Sequence, residues 1–325
     1  MTTRPGPAVR DALTYRPVRP DELDACADIW RVSINDYIGR LNQPVLESES
    51  GPLVRLYGHL QSTDPDRFMV ATRADPEAED GERIVGFASA VVRERLWYLS
   101  MCFVLPEAQG SGVGRELLAR TAPADDPDTV RATGTDSAQP ISNALYASLG
   151  IVPKVPLLNL IGLPSRPEAF GAMPTGIVAV PFERLATEGH DGHDRLAGVV
   201  DTLDRATLGV AHPVDHRFLR IEGRRGWLYQ GPDGAPLAYG YATEAGRVGP
   251  IASSDPDLVA PILGHLMSEV IPRGAFAVWL PGMADRAVVG TLQAGFRLEP
   301  FPVLLCWDRP MIDLTRYVPI SPGLL

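Results

Sequence analysis

The sequence predicts a mixed α/β protein of two domains, each with a mostly antiparallel central sheet flanked by helices. Three observations carry that expectation. The 325 residues are more than one ordinary core holds and suit two domains of ~150 residues each. Short runs rich in β-branched and aromatic residues alternate with longer runs of helical period. The order of those runs repeats weakly at ~160 residues, around a Pro- and Gly-rich stretch at residues 164–176.

The first strand is LTYRPVR, Leu13 to Arg19, after a short arm of residues 1–12 expected to be disordered. Pro20-Asp21-Glu22 opens a helix with proline and acid in its first turn, and Leu23, Cys26, Ile29, Trp30 and Ile34 share its apolar face. A second helix, PLVRLYGHLQS, leads to strands RFMVATR, RIVGFASAVVRE and LWYLSMCFVL. A glycine-rich loop, a helix, a short strand from Thr129 to Thr133, the helix PISNALYASLG and the apolar tail VPLLNLIGL finish the first domain, residues 13–163. Residues 164–176 read as a linker. The second domain, 177–325, opens on strand GIVAVPF and a helical region from Asp194 to about Gly209. Strands GWLYQG, PLAYGYATE and RVGPIAS follow, then helix PDLVAPILGHLMSEVI, strand AFAVWLP, helix DRAVVGTLQAGF and strand PFPVLLCW.

Composition narrows the function classes. Hydrophobic content of 45% and charged content of 22% belong to a globular protein. Net charge of −10 argues against a nucleic-acid partner, which asks for a basic patch. No apolar run approaches the ~20 residues of a membrane span, and the N-terminus has no apolar leader. Cys26, Cys102 and Cys306 lie far apart and match no metal spacing. A reduced, cytoplasmic protein without metal or membrane contact is expected.

The informative stretch is VLPEAQGSGVGRELLAR, Val104 to Arg120, with three glycines in five residues directly before a helix. It is not a dinucleotide fingerprint, because the spacing is G-x-G-x-G and the strand before it belongs to a meander. It is not a P-loop, because no Lys-Ser/Thr pair follows. Consecutive backbone N–H groups at a helix N-terminus bind an anion, and glycines let phosphate approach without a Cβ in the way. Gln109 and Arg115 add possible donors.

These residues carry a resemblance. Val104, Pro106, Gln109, Gly112 and Gly114, followed by Leu117-Leu118, resemble motif A of the GCN5-related N-acetyltransferase (GNAT) superfamily. LYASLGI, Leu145 to Ile151, resembles its motif B, and the element order of the first half is similar to that fold. The resemblance implies a tandem protein with a working first domain and a degenerate second one. It implies acetyl-CoA as cosubstrate, with its pantetheine arm along the backbone of Cys102, Phe103 and Val104 as an added strand would lie. Its pyrophosphate would rest on Gly110, Ser111, Gly112, Val113, Gly114 and Arg115. Tyr146 matches the motif-B tyrosine that protonates the leaving thiolate. Where the family often carries asparagine this chain has Gln139, and Asn143 stands as a partial replacement for that cofactor contact. The implied reaction is direct attack by a primary amine in a ternary complex, the acceptor a small molecule or peptide, the protein a monomer or homodimer.

The general base is open. Glu94 lies at a strand turn, and Tyr98 and Ser100 alternate along the donor strand. His212 and His216 titrate in a useful range and, with Asp204, Asp215 and Arg217, could line a cleft from the second domain. HDGHD, His190 to Asp194, reads as a solvated loop. In the second half the motif-A place holds Ser253, Ser254, Asp255, Pro256 and Asp257, which suit a helix cap and repel phosphate. Two rivals remain: a CoA-binding sensor or scaffold without turnover, and a mycothiol-synthase-like enzyme acetylating a cysteinyl amine.

Overall fold

A computed structural model describes residues 13–47, 51–78, 80–123, 126–186 and 190–325. The arm expected at residues 1–12 lies outside the described residues. The chain divides into two compact units, Met1–Val91 with Leu99–Asp126, and Val92–Tyr98 with Pro127–Leu325.

The first unit opens with β1 (Leu13–Pro17) and a single 3-10 turn at Pro20–Glu22. Helices α1 (Leu23–Arg40) and α2 (Gly51–Thr63) precede β2 (Phe68–Ala74), β3 (Glu82–Arg93) and β4 (Leu96–Val104). A 3-10 turn at Pro106–Ala108 and helix α3 (Val113–Thr121) close it. The strands run in the order β1-β2-β3-β4, and β2 is antiparallel to both β1 and β3. Aromatic rings fill the core: Tyr57 stands edge-on to Phe68 at 5.7 Å and Phe87 at 5.4 Å, and Phe87 meets Phe103 at 5.8 Å. Such pairs add about 0.5–1.5 kcal/mol each beyond the area they bury.

The second unit contains β5 (Val130–Asp136), α4 (Pro140–Ala147), β6 (Val152–Gly162), β7 (Val178–Pro181), α5 (Phe182–Ala186), α6 (His190–Thr207) and α7 (Pro213–Ile221). It continues through β8 (Arg225–Gln230), β9 (Pro236–Ala242), β10 (Arg247–Ser253), α8 (Val259–Ser268), β11 (Phe276–Pro281) and α9 (Asp285–Gln293). It ends with β12 (Arg297–Leu298), β13 (Val303–Trp307) and β14 (Tyr317–Val318). Its strand order is β5-β13-β6-β11-β10-β9-β8-β7, with β12 on β6 and β14 on β10. Among the described pairings of this unit, only β10–β11 is parallel.

The interleaving of distant strands is the main finding here. β13 lies between β5 and β6, antiparallel to each. β6 in turn pairs with β13 over Val152–Leu157 and with β11 over Leu157–Gly162. Its prolines, Pro153 and Pro156, cannot donate to a ladder, and the β13–β6 register shifts between Leu305 and Cys306. The longer segment of the second unit therefore begins at Pro127, because β5 and β6 find their partners near the end of the chain. Within the stretch read as a linker, Phe170 is 2% exposed and joins Leu263, Ala287 and Phe296 in the core.

Helix α7 was not anticipated, because Pro213 and the paired histidines suggested a motif rather than an element. Residues 190–194, expected as a loop, begin α6. The side chains of His190, Asp191 and His193 lie outside the described ones. Among the described residues no helix is long and apolar enough to cross a membrane.

Candidate functional site

The glycine loop leaves the end of β4 and bends through the 3-10 turn into α3. Val113, Leu117, Leu118 and Thr121 are buried at helical spacing, which anchors α3 and fixes its first turn. Gly110 has φ 73° and Gly112 φ 95°, left-handed conformations that an L side chain resists by about 1–2 kcal/mol. A Cβ at either glycine would meet nothing within 4 Å, so backbone conformation and open space set the need, not crowding. The Gly112 carbonyl accepts the Glu116 N–H at 3.1 Å and starts the helix.

Among the described residues, no backbone N–H from Gly110 to Arg115 has a protein acceptor. Gly110, Ser111 and Gly112 are exposed, as is Arg115. A run of free amides in front of a helix dipole is an anion site, and its donors are already oriented.

Gln109 works differently from a direct donor to a ligand. Its Nε2 donates to the Val104 carbonyl at 2.9 Å, and the Ser33 hydroxyl of α1 donates to the same oxygen at 3.1 Å. The next residue, Leu105, donates its N–H to the Val85 carbonyl at 2.9 Å. The end of β4 is thus pinned from three sides, and the loop hangs from a fixed point. Ser33 escaped the sequence reading, though its place seven residues after Cys26 on an apolar face was a signal. Within the loop, the Ser111 hydroxyl donates to the Ala108 carbonyl at 2.6 Å, which holds the turn closed. Cys102, half-buried on β4, has its thiol pushed up to about 12 by burial, so it is not a nucleophile.

In the second unit, Gln139 and Asn143 have local work. The Gln139 side chain caps α4 by accepting the Ile141 N–H at 3.3 Å. Asn143 Nδ2 donates to the carbonyls of Asp136 at 3.0 Å and Gln139 at 2.8 Å. Its Oδ1 is buried without a hydrogen-bond partner and remains an available acceptor. Tyr146 is the buried residue of α4, 5% exposed, and its carbonyl accepts the N–H groups of Leu149 and Ile151 as the helix ends.

The candidate bases are engaged elsewhere. Glu94, at φ 48° in the turn after β3, pairs with Arg205 at 2.7 Å. The Tyr98 hydroxyl donates to the Pro322 carbonyl, and burial raises its pKa. His212 and His216, expected to line a cleft, are instead interior, at 1% and 4% exposure, their rings tilted by 30° with centroids 4.3 Å apart. Both Nε2 atoms aim at one oxygen of Asp204, His216 at 2.8 Å and His212 at 3.3 Å. Tyr239 donates to the other oxygen, and Tyr241 meets His216 Nδ1 at 3.0 Å. Arg93 forms a two-toothed pair with Asp215 at 2.7 and 2.8 Å, which stands 3.6 Å from His212 Nδ1. Burial alone would lower the His212 pKa, but the Asp204 and Asp215 carboxylates reverse that and lift it to about 10. Burial and the charge on His212 keep His216 low. These side chains could supply a metal's ligand types, yet the carboxylate oxygen occupies the point toward which both rings aim. The cluster is an interior charge network rather than a catalytic base.

Residues 66–159 match the family description "Acetyltransferase (GNAT) domain". Over those residues the chain is similar to a GNAT domain. Solved structures extend that likeness over both halves of the chain. A Pyrococcus horikoshii protein described as an acetyltransferase has 14% identity and a TM-score of 0.71, over 100% of this chain and 99% of its own. A GCN5-related N-acetyltransferase from Sphaerobacter thermophilus has 16% identity and a TM-score of 0.58, over 94% and 98%. A tandem GNAT protein from the clavulanic acid biosynthesis pathway has 16% identity and a TM-score of 0.52, over 92% and 99%. At these identities the likeness is one of fold, and it fits a tandem layout. No curated protein matches the sequence.

Proposed function

We propose that the protein is an acetyl-CoA-dependent N-acetyltransferase acting on a primary amine of a small molecule or peptide. The observation that carries this reading is the run of unpartnered backbone N–H groups from Gly110 to Arg115 at the front of α3. It fits a pyrophosphate: the donors are consecutive, Gly110–Gly112 are exposed, and two of them are left-handed glycines that keep Cβ atoms out of the approach.

On this reading the bound thioester supplies the acyl group. The chain's residues bind and orient. Gly110, Ser111, Gly112, Val113, Gly114 and Arg115 hold the pyrophosphate, with the Arg115 guanidinium as an added cation. The backbone of Cys102, Phe103 and Val104 holds the pantetheine arm, and N–H groups near Val104 stabilise the charge that develops on the carbonyl oxygen. Gln109 and Ser33 act as positioning residues through the Val104 carbonyl. Tyr146 gives its hydroxyl proton to the departing sulfur; between a phenol near 10 and a thiol near 8.5 that transfer is uphill by about 1.5 units, a small cost set against the charge it removes as the C–S bond breaks. A primary amine attacks directly, so no acyl-enzyme forms on Cys102, whose thiol burial keeps protonated.

The test is thermal unfolding with and without acetyl-CoA. At 100-fold excess over the dissociation constant the ligand adds about 2.7 kcal/mol, which raises the midpoint by several degrees. Gly112→Asp should abolish the shift, and Tyr146→Phe should keep it while lowering kcat with an amine acceptor. A folded wild type without any shift would remove the basis of the proposal.

A further inference from the structure

The second unit repeats the same sequence of parts, a strand followed by a turn and a helix, in β10, residues 254–258 and α8. Where the first unit offers free groups, the second makes contacts within its own chain. The Asp255 carboxylate accepts the Asp257 N–H at 2.9 Å, in front of the helix. The Ser253 hydroxyl donates to the Asp255 carbonyl at 2.8 Å, and the Leu258 N–H finds that same carbonyl at 3.2 Å. A carboxylate of the chain stands where an anion would otherwise bind.

The strand edge is filled as well. β10 pairs in parallel with β11 only at Arg247 and Val248. The register of β10 against β9 then shifts between Val248 and Ile251, an irregularity of the kind that bends a strand. Beyond it, Ile251 and Ala252 pair with Val318 and Tyr317 of β14, and the Ser253 N–H donates to the Arg316 carbonyl at 3.0 Å. Because β9 covers the other edge of the same residues, β14 sits on the edge that β11 leaves. Gly249 is required for the approach: a Cβ there would lie 2.9 Å from the Pro319 carbonyl oxygen. Tyr317 is fully buried, its hydroxyl 3.3 Å from His212 Nε2, so the added strand is anchored.

We infer that the second unit binds its own chain in place of a nucleotide thioester: the Asp255 carboxylate takes the anion's position, and residues 316–318 take that of the extended arm. The protein therefore binds one CoA per chain. The inference rests on the reading of the first unit as the CoA site, and goes beyond it by closing the second.

Hydrogen exchange of the full chain, with coenzyme A as the probe, reads both statements separately. Without CoA, the amides of Ser253 and Val318 should already exchange slowly. Added at 100-fold excess over its dissociation constant, CoA should slow the bound amides among Gly110–Arg115 by up to about 100-fold and leave Ile251–Leu258 unchanged. Calorimetric titration should give one equivalent. Fast exchange at Ser253 and Val318 in the free protein, or a second equivalent with new protection at Ile251–Leu258, overturns the inference. Slow exchange there with no CoA bound anywhere supports the closed edge and sinks the proposed function instead.

Discussion

His212 shows how little a residue's type says about its task. It is charged because two carboxylates surround it, and it is buried, so the charge belongs to the fold and not to a substrate. Its pKa rises from the ordinary 6.5 to about 10, so protonation favours the folded state. That stability is complete below pH 6.5 and is lost as pH climbs through about 10. His216 has the opposite sign, since its depressed value favours the neutral ring and costs stability only on acidification. The tyrosines around the pair, Tyr239, Tyr241 and Tyr317, are all raised above their ordinary value and stay protonated in that window. The melting temperature should therefore fall between neutral pH and pH 10, and Asp204→Asn should flatten the slope. A wild-type profile without that fall would show that His212 is neutral in the fold. Sequence reading singled out His212 and His216 together with Asp204 and Asp215. It missed that they sit inside, because α7 was not recognised and without it their facing direction was unknown.

At the scale of elements, the turn at Arg93–Arg95 belongs to the second unit and is tied to that unit's helices by two ion pairs of different worth. Glu94–Arg205 is exposed at 40% and 53% and contributes at most about 1 kcal/mol. Arg93–Asp215 is buried at 8% and 2%. Removing its cation strands a carboxylate in the interior, at a cost of about 3–5 kcal/mol. Arg93→Ala should lower the urea midpoint far more than Glu94→Ala, and equal small effects would mean that water reaches Asp215. Most elements were legible, because the period of apolar residues shows in α1, α2, α3 and α9 and in the strands from β2 to β4. The loop before α3 was the most legible part, since three glycines before a helix state a backbone need that few other sequences state. The capping work of Gln139 and the role of Ser33 were hidden, since both depend on which carbonyl lies within reach.

For the molecule as a whole, strand partners were the illegible part. An apolar strand such as VPLLNLIGL announces burial, but a period of two residues names no neighbour. The residues expected as a first domain, 13–163, include β5 and β6 but not the β13 strand that lies between them. A fragment ending at residue 163 should therefore aggregate or remain partly unfolded, and co-expression with residues 164–325 should restore a soluble, CoA-binding complex. A fragment that stays monomeric and shows the acetyl-CoA thermal shift would demonstrate that the first half closes its sheet without help.

The same interleaving sets an order of events on the ribosome. β5 and β6 are translated well before Val303, the first residue of β13. At ~5–20 residues per second the delay is on the order of 10 s. During that interval β5 and β6 have an open gap between them, and such edges attract other chains. The nascent protein thus depends on being shielded until its last strands arrive, and slow translation through the second half would lower the yield of active protein more than slow translation through the first.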